Sequence, residues 1–356
     1  MTGLVAPGPS ASGEGPLRVV PFDGSAADWD GLLEGFEGST FGHLGGWRNV
    51  MSRILGHELR YRVALSEEGE ARGLLPLVRV KSRLFGDYLV SMPFLSYGGP
   101  LGTEEARGLL ANEAAEEARR LGVDLLELRS RTPVPGGLRT SHRKLTVVLD
   151  LPDSSEVLWQ EGLKAKVRSQ IRRPMKEGME TRFGLTELDS FYTVFSRAMR
   201  DLGTPVLPLD FFAAVASELS EQVLFCTIVL AGEPVAAGCG FLWEDEFEIT
   251  WAGSVREFNR MAPNMLLYWS FIEEAIRRGA RAFNFGRCTP DSGTHRFKRQ
   301  WGGDDLPLPW AQWSPGSVAS TPVPTSRKYQ LATTVWQRIP LQVANRLGPL
   351  ISRSLP

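Results

Sequence analysis

The chain has 356 residues, of which 42% are hydrophobic and 23% are charged, a composition that predicts a soluble globular protein long enough for two domains. Its 40 Lys and Arg residues are balanced by 41 Asp and Glu residues, for a formal net charge of −1. This balance argues against a general nucleic-acid binder, and we expect no DNA partner.

The cysteines and histidines give no sign of a disulfide framework or a metal site. Cys226, Cys239 and Cys288 are an odd number without short paired spacing, and the four histidines are scattered. The sequence shows no basic-then-apolar leader, and no apolar run approaches the ~20 residues of a membrane span. We therefore expect a cytoplasmic protein without a metal.

Shifts in composition divide the chain into four predicted segments. They are a disordered Gly-, Pro- and Ser-rich tail (1–16), an N-terminal domain (17–150), a C-terminal domain (151–313) and a basic, Pro-containing amphipathic tail (314–356).

A loop in the first domain, Met92 to Pro100, interrupts a regular pattern of strands and helices. It contains Tyr97-Gly98-Gly99. The two glycines allow close approach of another group to the backbone, and the tyrosine offers a ring and a hydroxyl. The alternative is an ordinary turn with a packing tyrosine.

The chain contains an internal repeat. EEARRLGVDLLEL (Glu116 to Leu128) and EEAIRRGARAFNF (Glu273 to Phe285) share their spacing, and a predicted hairpin precedes the helix in each half. The repeat predicts that one αβ unit occurs twice. The alternative is chance similarity between two helix–glycine–strand segments.

The second domain begins with a strongly basic helix over 164–176, which holds six cations and no acid. Its charged stripe is Lys164, Arg168, Arg172 and Lys176, and its apolar stripe is Val167, Ile171 and Met175. Such a stripe is either a solvated face or a phosphate-binding one, and its single sign favours phosphate.

The stretch from Ala282 to Gly303, AFNFGRCTPDSGTHRFKRQWGG, is predicted to be a short apolar strand followed by a polar loop. It closes with Phe297-Lys298, shortly before Trp301. A loop of this kind can place a cation at the mouth of a sheet. The alternative is a surface loop with solvated cations.

After Trp313 the sequence is rich in Ser, Pro and Thr, and no Asp or Glu follows Asp305. Apolar residues are interspersed with Arg327, Lys328, Arg338, Arg346 and Arg353. Either this basic tail lies on the anionic inner face of a membrane, or it forms a helix that packs back on the protein.

In combination, F-x-F-G-R, D-S-G-T and F-K-x-x-W-G resemble the C-terminal signature of the Fem-type aminoacyltransferases. They are most similar to Fem-related proteins found with exosortase (PEP-CTERM) exopolysaccharide systems. The resemblance covers roughly residues 40–310. It implies an α/β (α+β) fold with two tandem GNAT-like domains, each a mixed, mostly antiparallel sheet flanked by helices.

The resemblance also implies a site. Phe297 and Lys298 match the catalytic pair, with Lys298 facing an oxyanion or the donor's phosphate and Phe297 supporting it by packing. The residues expected to bind substrate are Arg168, Arg172, Tyr97, Trp47, Arg287 and Trp301. A general base is not identified.

The implied reaction is transfer of an activated acyl group to an amine on a cell-wall or exopolysaccharide precursor. The acceptor is expected to be a phosphate-bearing glycan or peptidoglycan-type precursor, and the donor to be an aminoacyl-tRNA. Acetyl-coenzyme A is a less favoured donor, because residues 257–264 (EFNRMAPN) contain no glycine where ordinary GNAT enzymes hold its pyrophosphate.

The sequence is compatible with three alternatives. The protein is an acetyl-coenzyme A N-acetyltransferase, or a non-catalytic glycan or lipid-carrier binding module of the same fold. RNA binding through 164–176 is also compatible with the enzyme, with the tRNA as donor.

Overall fold

The computed structural model describes residues 15–316 and 327–355, so the predicted tail at 1–16 lies almost wholly outside the described residues. The strands are β1 (Arg18–Pro21), β2 (Glu58–Leu59), β3 (Arg62–Leu65), β4 (Ala71–Leu75), β5 (Leu77–Ser82), β6 (Gly86–Ser91), β7 (Leu101–Gly102), β8 (Leu125–Leu128), β9 (Arg139–Asp150), β10 (Glu180–Phe183), β11 (Val223–Leu230), β12 (Glu233–Trp243), β13 (Glu246–Ser254), β14 (Ala282–Cys288) and β15 (Asp304–Trp313). The α-helices are α1 (Ala26–Leu33), α2 (Gly46–Asn49), α3 (Glu104–Leu121), α4 (Ser155–Val157), α5 (Ala165–Lys176), α6 (Leu188–Leu202), α7 (Leu209–Glu218), α8 (Pro263–Arg277), α9 (Gly293–Arg299), α10 (Arg327–Trp336) and α11 (Leu341–Ser352). Short 3₁₀ or π turns cover Phe41–His43, Val50–Ile54, Leu158–Gly162, Leu185–Glu187 and Arg256–Met261.

The chain folds into two compact units. Among the described residues, the first holds 15–144, 307–316 and 354–355, and the second holds 145–306 and 327–353. Strand β15, which the sequence places in the C-terminal domain, therefore belongs to the first unit from Pro307 onward.

In the first unit, β1, β3, β4 and β7 form an antiparallel sheet in that order. A second ladder pairs β2, β5 and β6 antiparallel, adds β8 parallel to β6, and pairs β8 with the end of β15. Helix α3 begins where Thr103 accepts a hydrogen bond from the backbone N–H of Ala106. Its alanines pack against Leu75, Leu89 and Leu126, because small side chains let the helix approach the strands closely.

In the second unit, β10, β11, β12 and β13 form an antiparallel ladder, and β14 lies between β13 and β9. Phe271 of α8 lies against Gly238 of β12, whereas Ala198 of α6 lies against Gly253 of β13. Gly253 pairs with Ala237, the residue before Gly238. Because successive strand residues face opposite sides of a sheet, the two helices cover its two faces.

The two units share one arrangement, which is the structural form of the sequence repeat. In the first, α3 leads into β8, which pairs parallel to β6. In the second, α8 leads into β14, which pairs parallel to β13. The other strand pairs named above are antiparallel. The predicted fold class, mixed and mostly antiparallel sheets flanked by helices, is confirmed.

The C-terminal segment forms α10 and α11, which pack on α6 within the second unit. Ala344 and Gly348 of α11 are buried, and the Ser352 hydroxyl donates to the carbonyl of Val206 at 2.9 Å. Across residues 15–316 and 327–355, the helices lack the combination of length and apolar content that crossing a bilayer requires.

Candidate active site

Strand β14 leaves the regular ladder beside the site. Its parallel register with β13 joins Glu246 to Ala282 and ends at the pair Glu248–Asn284 in the described structure. On the other side, its register with β9 shifts between Asn284 and Arg287. The backbone carbonyls after Asn284 are therefore available to groups other than a neighbouring strand.

Gly286 is required at this irregularity. Its φ is +70°, and a Cβ atom there would lie 2.7 Å from the carbonyl oxygen of Ile249. The buried Asn284 holds the bend, because its Oδ1 accepts from the Gly286 N–H at 2.9 Å and from the Thr146 hydroxyl. Its Nδ2 donates to Glu246 at 2.9 Å.

Helix α9 carries Lys298 into this bend. The helix begins where the Ser292 hydroxyl accepts from the His295 N–H at 3.1 Å. Lys298 is 4% exposed. Its Nζ donates to the carbonyl oxygens of Gly286 at 2.6 Å and Arg287 at 3.0 Å. The cation is thus fixed at the end of β14 rather than solvated.

Burial, together with the positive charge of Arg287, lowers the pKa of Lys298 from its ordinary 10.5 to about 8. Cys288 and the buried Glu248 of β13 act in the opposite direction on this pKa. Lys298 is therefore largely an ammonium at neutral pH, but it loses its proton at a lower pH than a surface lysine does.

Aromatic rings enclose the neighbouring part of α9. The Phe297 ring meets the Tyr268 ring edge-on at 5.0 Å, and Tyr268 stacks at 5.8 Å on Phe285. Burial raises the pKa of the Tyr268 phenol, which stays neutral. Trp301 is 1% exposed, and its indole N–H has no hydrogen-bond partner among the described residues. These rings form one aromatic cluster between α8, β14 and the segment around α9.

The two arginines expected to hold phosphate behave differently. Arg168 Nη1 donates to the carbonyls of Trp159 at 3.0 Å and Leu163 at 2.5 Å, and more weakly to that of Gln160. Arg168 therefore caps the carbonyl groups of the turn that precedes α5. Arg172 is exposed, lies 5.0 Å from the centre of the Trp159 ring and lines a cavity of about 390 Å³.

Tyr97 and Trp47 lie in the first unit. Tyr97 lines a cavity of about 370 Å³, and the Arg131 guanidinium lies 4.1 Å from its ring centre. His43 lines the same cavity and donates from Nε2 to the carbonyl of Gly99 at 2.9 Å. Trp47 is fully buried, with its indole N–H bonded to the carbonyl of Phe41 at 2.8 Å.

The structure brings Lys298, Phe297, Arg287 and Trp301 together around β14 and α9. Sequence reasoning missed Glu248 and Asn284, which surround the same bend. A signal existed for each: both are polar residues between apolar neighbours in predicted strands, the pattern of a buried polar group that needs partners.

Residues 164–299 match the family model described as an acetyltransferase (GNAT) domain. The structure of FemX matches with a TM-score of 0.63 at 12% identity, covering 90% of this chain and 100% of that one. The chain therefore shares the fold of FemX.

Two further structures share the fold. L-PGS from Bacillus licheniformis matches with a TM-score of 0.55 at 16% identity, covering 89% of this chain and 100% of that one. The C-terminal domain of a putative lysylphosphatidylglycerol synthetase from Agrobacterium fabrum matches with a TM-score of 0.53 at 15% identity, over 75% and 87% of the two chains. No protein of curated function matches the sequence. The predicted Fem-type and GNAT-like resemblance is confirmed as fold, and the link to exosortase systems is not confirmed.

Proposed function

We propose that this protein transfers an activated acyl group to an amine, with Lys298 stabilising the oxyanion that forms on the acyl carbonyl. The observation that carries the proposal is the position of the Lys298 ammonium, buried at the end of β14 and held by the carbonyls of Gly286 and Arg287. An ammonium has three N–H donors. The third has no partner among the described residues, and we assign it to the oxyanion.

In the proposed reaction the amine nitrogen attacks the carbonyl carbon of the donor. The new N–C bond forms as the carbonyl oxygen becomes negatively charged, and the Lys298 ammonium stabilises that charge in a site with little water. The C–O bond to the donor then breaks. The proton lost by the amine balances the proton gained by the leaving hydroxyl.

We favour an aminoacyl-tRNA as donor, because the segment before α8 is poorly suited to a pyrophosphate. The N–H groups of Phe258, Ala262 and Met265 are hydrogen-bonded to carbonyls of the same segment, and Pro263 has no N–H. One structure of this fold carries the name of a lysylphosphatidylglycerol synthetase, so an aminoacyl donor suits the architecture. The match to a GNAT domain model keeps acetyl-coenzyme A as the second candidate donor.

We propose an amine on a phosphate-bearing cell-wall or exopolysaccharide precursor as the acceptor. The exposed cations of α5, of which Arg172 also borders the 390 Å³ cavity, suit the phosphate.

The test is mass spectrometry of amine-containing precursors incubated with the protein and either charged tRNA or acetyl-coenzyme A. We expect an aminoacyl mass increment with charged tRNA, its loss in Lys298→Met and partial recovery in Lys298→Arg. Uncharged tRNA is the matched control. A product that carries only an acetyl mass increment would overturn the proposal that aminoacyl-tRNA is the donor. Full turnover by Lys298→Met would overturn the mechanism, and precursor binding without any product would identify a binding module.

A further inference from the structure

The C-terminal helices α10 and α11 attach to the second unit through one face each. In α11 the attached face consists of small residues, with Ala344, Gly348 and Ser352 buried. In α10, Thr333 lies against Gly203 at the end of α6. Additional hydrogen bonds join Arg200 to the carbonyl of Ile339 and Asn345 to Ser196, and α11 is therefore fixed in orientation.

The opposite face of these helices is apolar and exposed. Together with Leu202 at the end of α6, we call it the C-terminal apolar face and define it as Leu202, Leu331, Val335, Val343, Leu347 and Leu350. These are six of the thirteen large hydrophobic side chains that are exposed in the described residues, with exposures from 41% to 67%. Leu331 and Val335 are four residues apart, and Val343, Leu347 and Leu350 follow a spacing of four and three, so each set lines one side of its helix.

This cluster of exposed hydrophobic side chains indicates a binding partner. Single exposed leucines are ordinary on a protein surface, whereas a cluster of them marks an interaction site. Helix α11 is already attached by its small residues, so its exposed leucines are not needed to hold it in place.

The charges on α10 and α11 have one sign, and Asp201, the residue before Leu202, is paired with Arg200 at 2.7 Å. Arg338, Arg346 and Arg353 are exposed, and no Asp or Glu occurs after Asp305, although the whole chain carries 41 acidic and 40 basic residues. On α11, Arg346 and Arg353 lie beside the apolar stripe. Apolar residues flanked by arginines match the interface of an anionic bilayer, where the side chains enter the boundary region and the cations meet phosphate.

We propose that the C-terminal apolar face lies on the surface of an anionic membrane. A second copy of the chain fits this face less well, because a two-fold contact would place the arginines of both copies in one interface to which α10 and α11 contribute no acidic residue. A lipid surface supplies both the apolar environment and the opposite charge. This inference does not depend on the proposed acyl transfer and involves none of its residues.

The test is co-sedimentation of the full chain with vesicles of phosphatidylcholine, with and without phosphatidylglycerol. We expect binding to the anionic vesicles that weakens as salt increases. Leu347→Gln/Leu350→Gln should weaken binding at least about tenfold, and Arg346→Gln/Arg353→Gln roughly thirtyfold. Leu84→Gln, which changes a leucine that is 80% exposed in the first unit, is the matched control and should bind like the unaltered chain.

Equal binding to both kinds of vesicle would overturn the proposal, as would unchanged binding by the Leu347→Gln/Leu350→Gln variant. Sedimentation velocity without lipid provides the second readout. If the unaltered chain is a dimer that this variant dissociates, and neither binds vesicles, the face is a protein interface and the membrane is excluded. Thermal unfolding of each variant verifies that these exposed substitutions leave the fold intact.

Discussion

The Lys298 ammonium lies 2.6 Å from the carbonyl oxygen of Gly286, at the bend where β14 separates from β13 and its register with β9 shifts. The contact depends on glycine, because Gly286 has a φ of +70° and its carbonyl oxygen accepts the hydrogen bond from Lys298 Nζ. The same contact gives Lys298 a structural role in addition to the proposed catalytic one. Experiments on this residue therefore have to separate stability from chemistry.

Lys298→Met should change how stability depends on pH. In the folded chain the pKa of Lys298 is about 8, below its ordinary 10.5, so between these pH values the unfolded chain binds the proton more tightly. The stability of the unaltered protein should therefore rise by about 3 kcal/mol relative to the variant as pH increases across that window. Below about pH 8 the full penalty of burying the charge is present.

Urea unfolding of both proteins at several pH values measures this difference, and comparing the two removes the titration of other groups. A constant difference from about pH 7 to 10.5 would mean that Lys298 keeps its ordinary pKa. Methionine fills the space of the lysine chain, whereas alanine would add the effect of a cavity.

Glu248→Gln should lower the pKa of Lys298 further. The Glu248 carboxylate favours the charged lysine, and glutamine keeps its shape while removing the charge. We expect the pH-dependent rise in stability to begin below about pH 8 in this variant. The double variant with Lys298→Met is the control, because the shift should disappear when the lysine is absent. A shift that persists there would have another origin.

Gly286→Ala should be more destabilising than an alanine placed at another glycine of similar conformation. Gly286 has a φ of +70°, and its Cβ would contact the Ile249 carbonyl at 2.7 Å, whereas Gly279 has a φ of +87° with open space around it. We expect a loss of about 1 kcal/mol for Gly279→Ala and at least about 2 kcal/mol more for Gly286→Ala. Chemical denaturation measures both, and equal losses would contradict the close contact.

Arg168→Ala and Arg172→Ala should separate a structural arginine from a binding one. Arg168 donates to three backbone carbonyls, so its loss should lower the free energy of unfolding by about 2–4 kcal/mol. Arg172 is exposed above the Trp159 ring, and its loss should lower the free energy by less than about 1 kcal/mol. Salt-dependent binding of a phosphate-bearing precursor should weaken mainly in Arg172→Ala. The reverse order of stabilities would contradict these contacts.

The sequence predicted the strand and the lysine that follows it from composition and resemblance, and the repeat of helix, glycine and strand from spacing. It was wrong about the end of the predicted loop, because Gly293–Arg299, which carry Lys298, form helix α9. It could not predict the direction of Lys298, because that depends on a positive φ at Gly286 and on a register shift opposite Thr146. Arg168 and Arg172 lie on the same side of α5, but only Arg168 is hydrogen-bonded to carbonyls of the turn before the helix, whereas Arg172 lies over the Trp159 ring. The spacing of residues along the chain does not predict tertiary contacts of this kind.

His43→Gln should remove a loss of stability at acid pH. Burial lowers the pKa of His43 to about 4 from its ordinary 6.5, although the hydrogen bonds with Gly99 and Thr40 act in the opposite direction. The unfolded chain therefore binds a proton that the folded chain resists, and stability should fall by about 3 kcal/mol as pH decreases from 6.5 to about 4. In His43→Gln that part of the acid dependence should be absent, although the variant starts from a lower stability because a buried hydrogen bond changes. His142→Gln, at an exposed histidine, is the matched control and should follow the unaltered chain. Parallel acid profiles of His43→Gln and the unaltered protein would mean that His43 can take up a proton in the folded state.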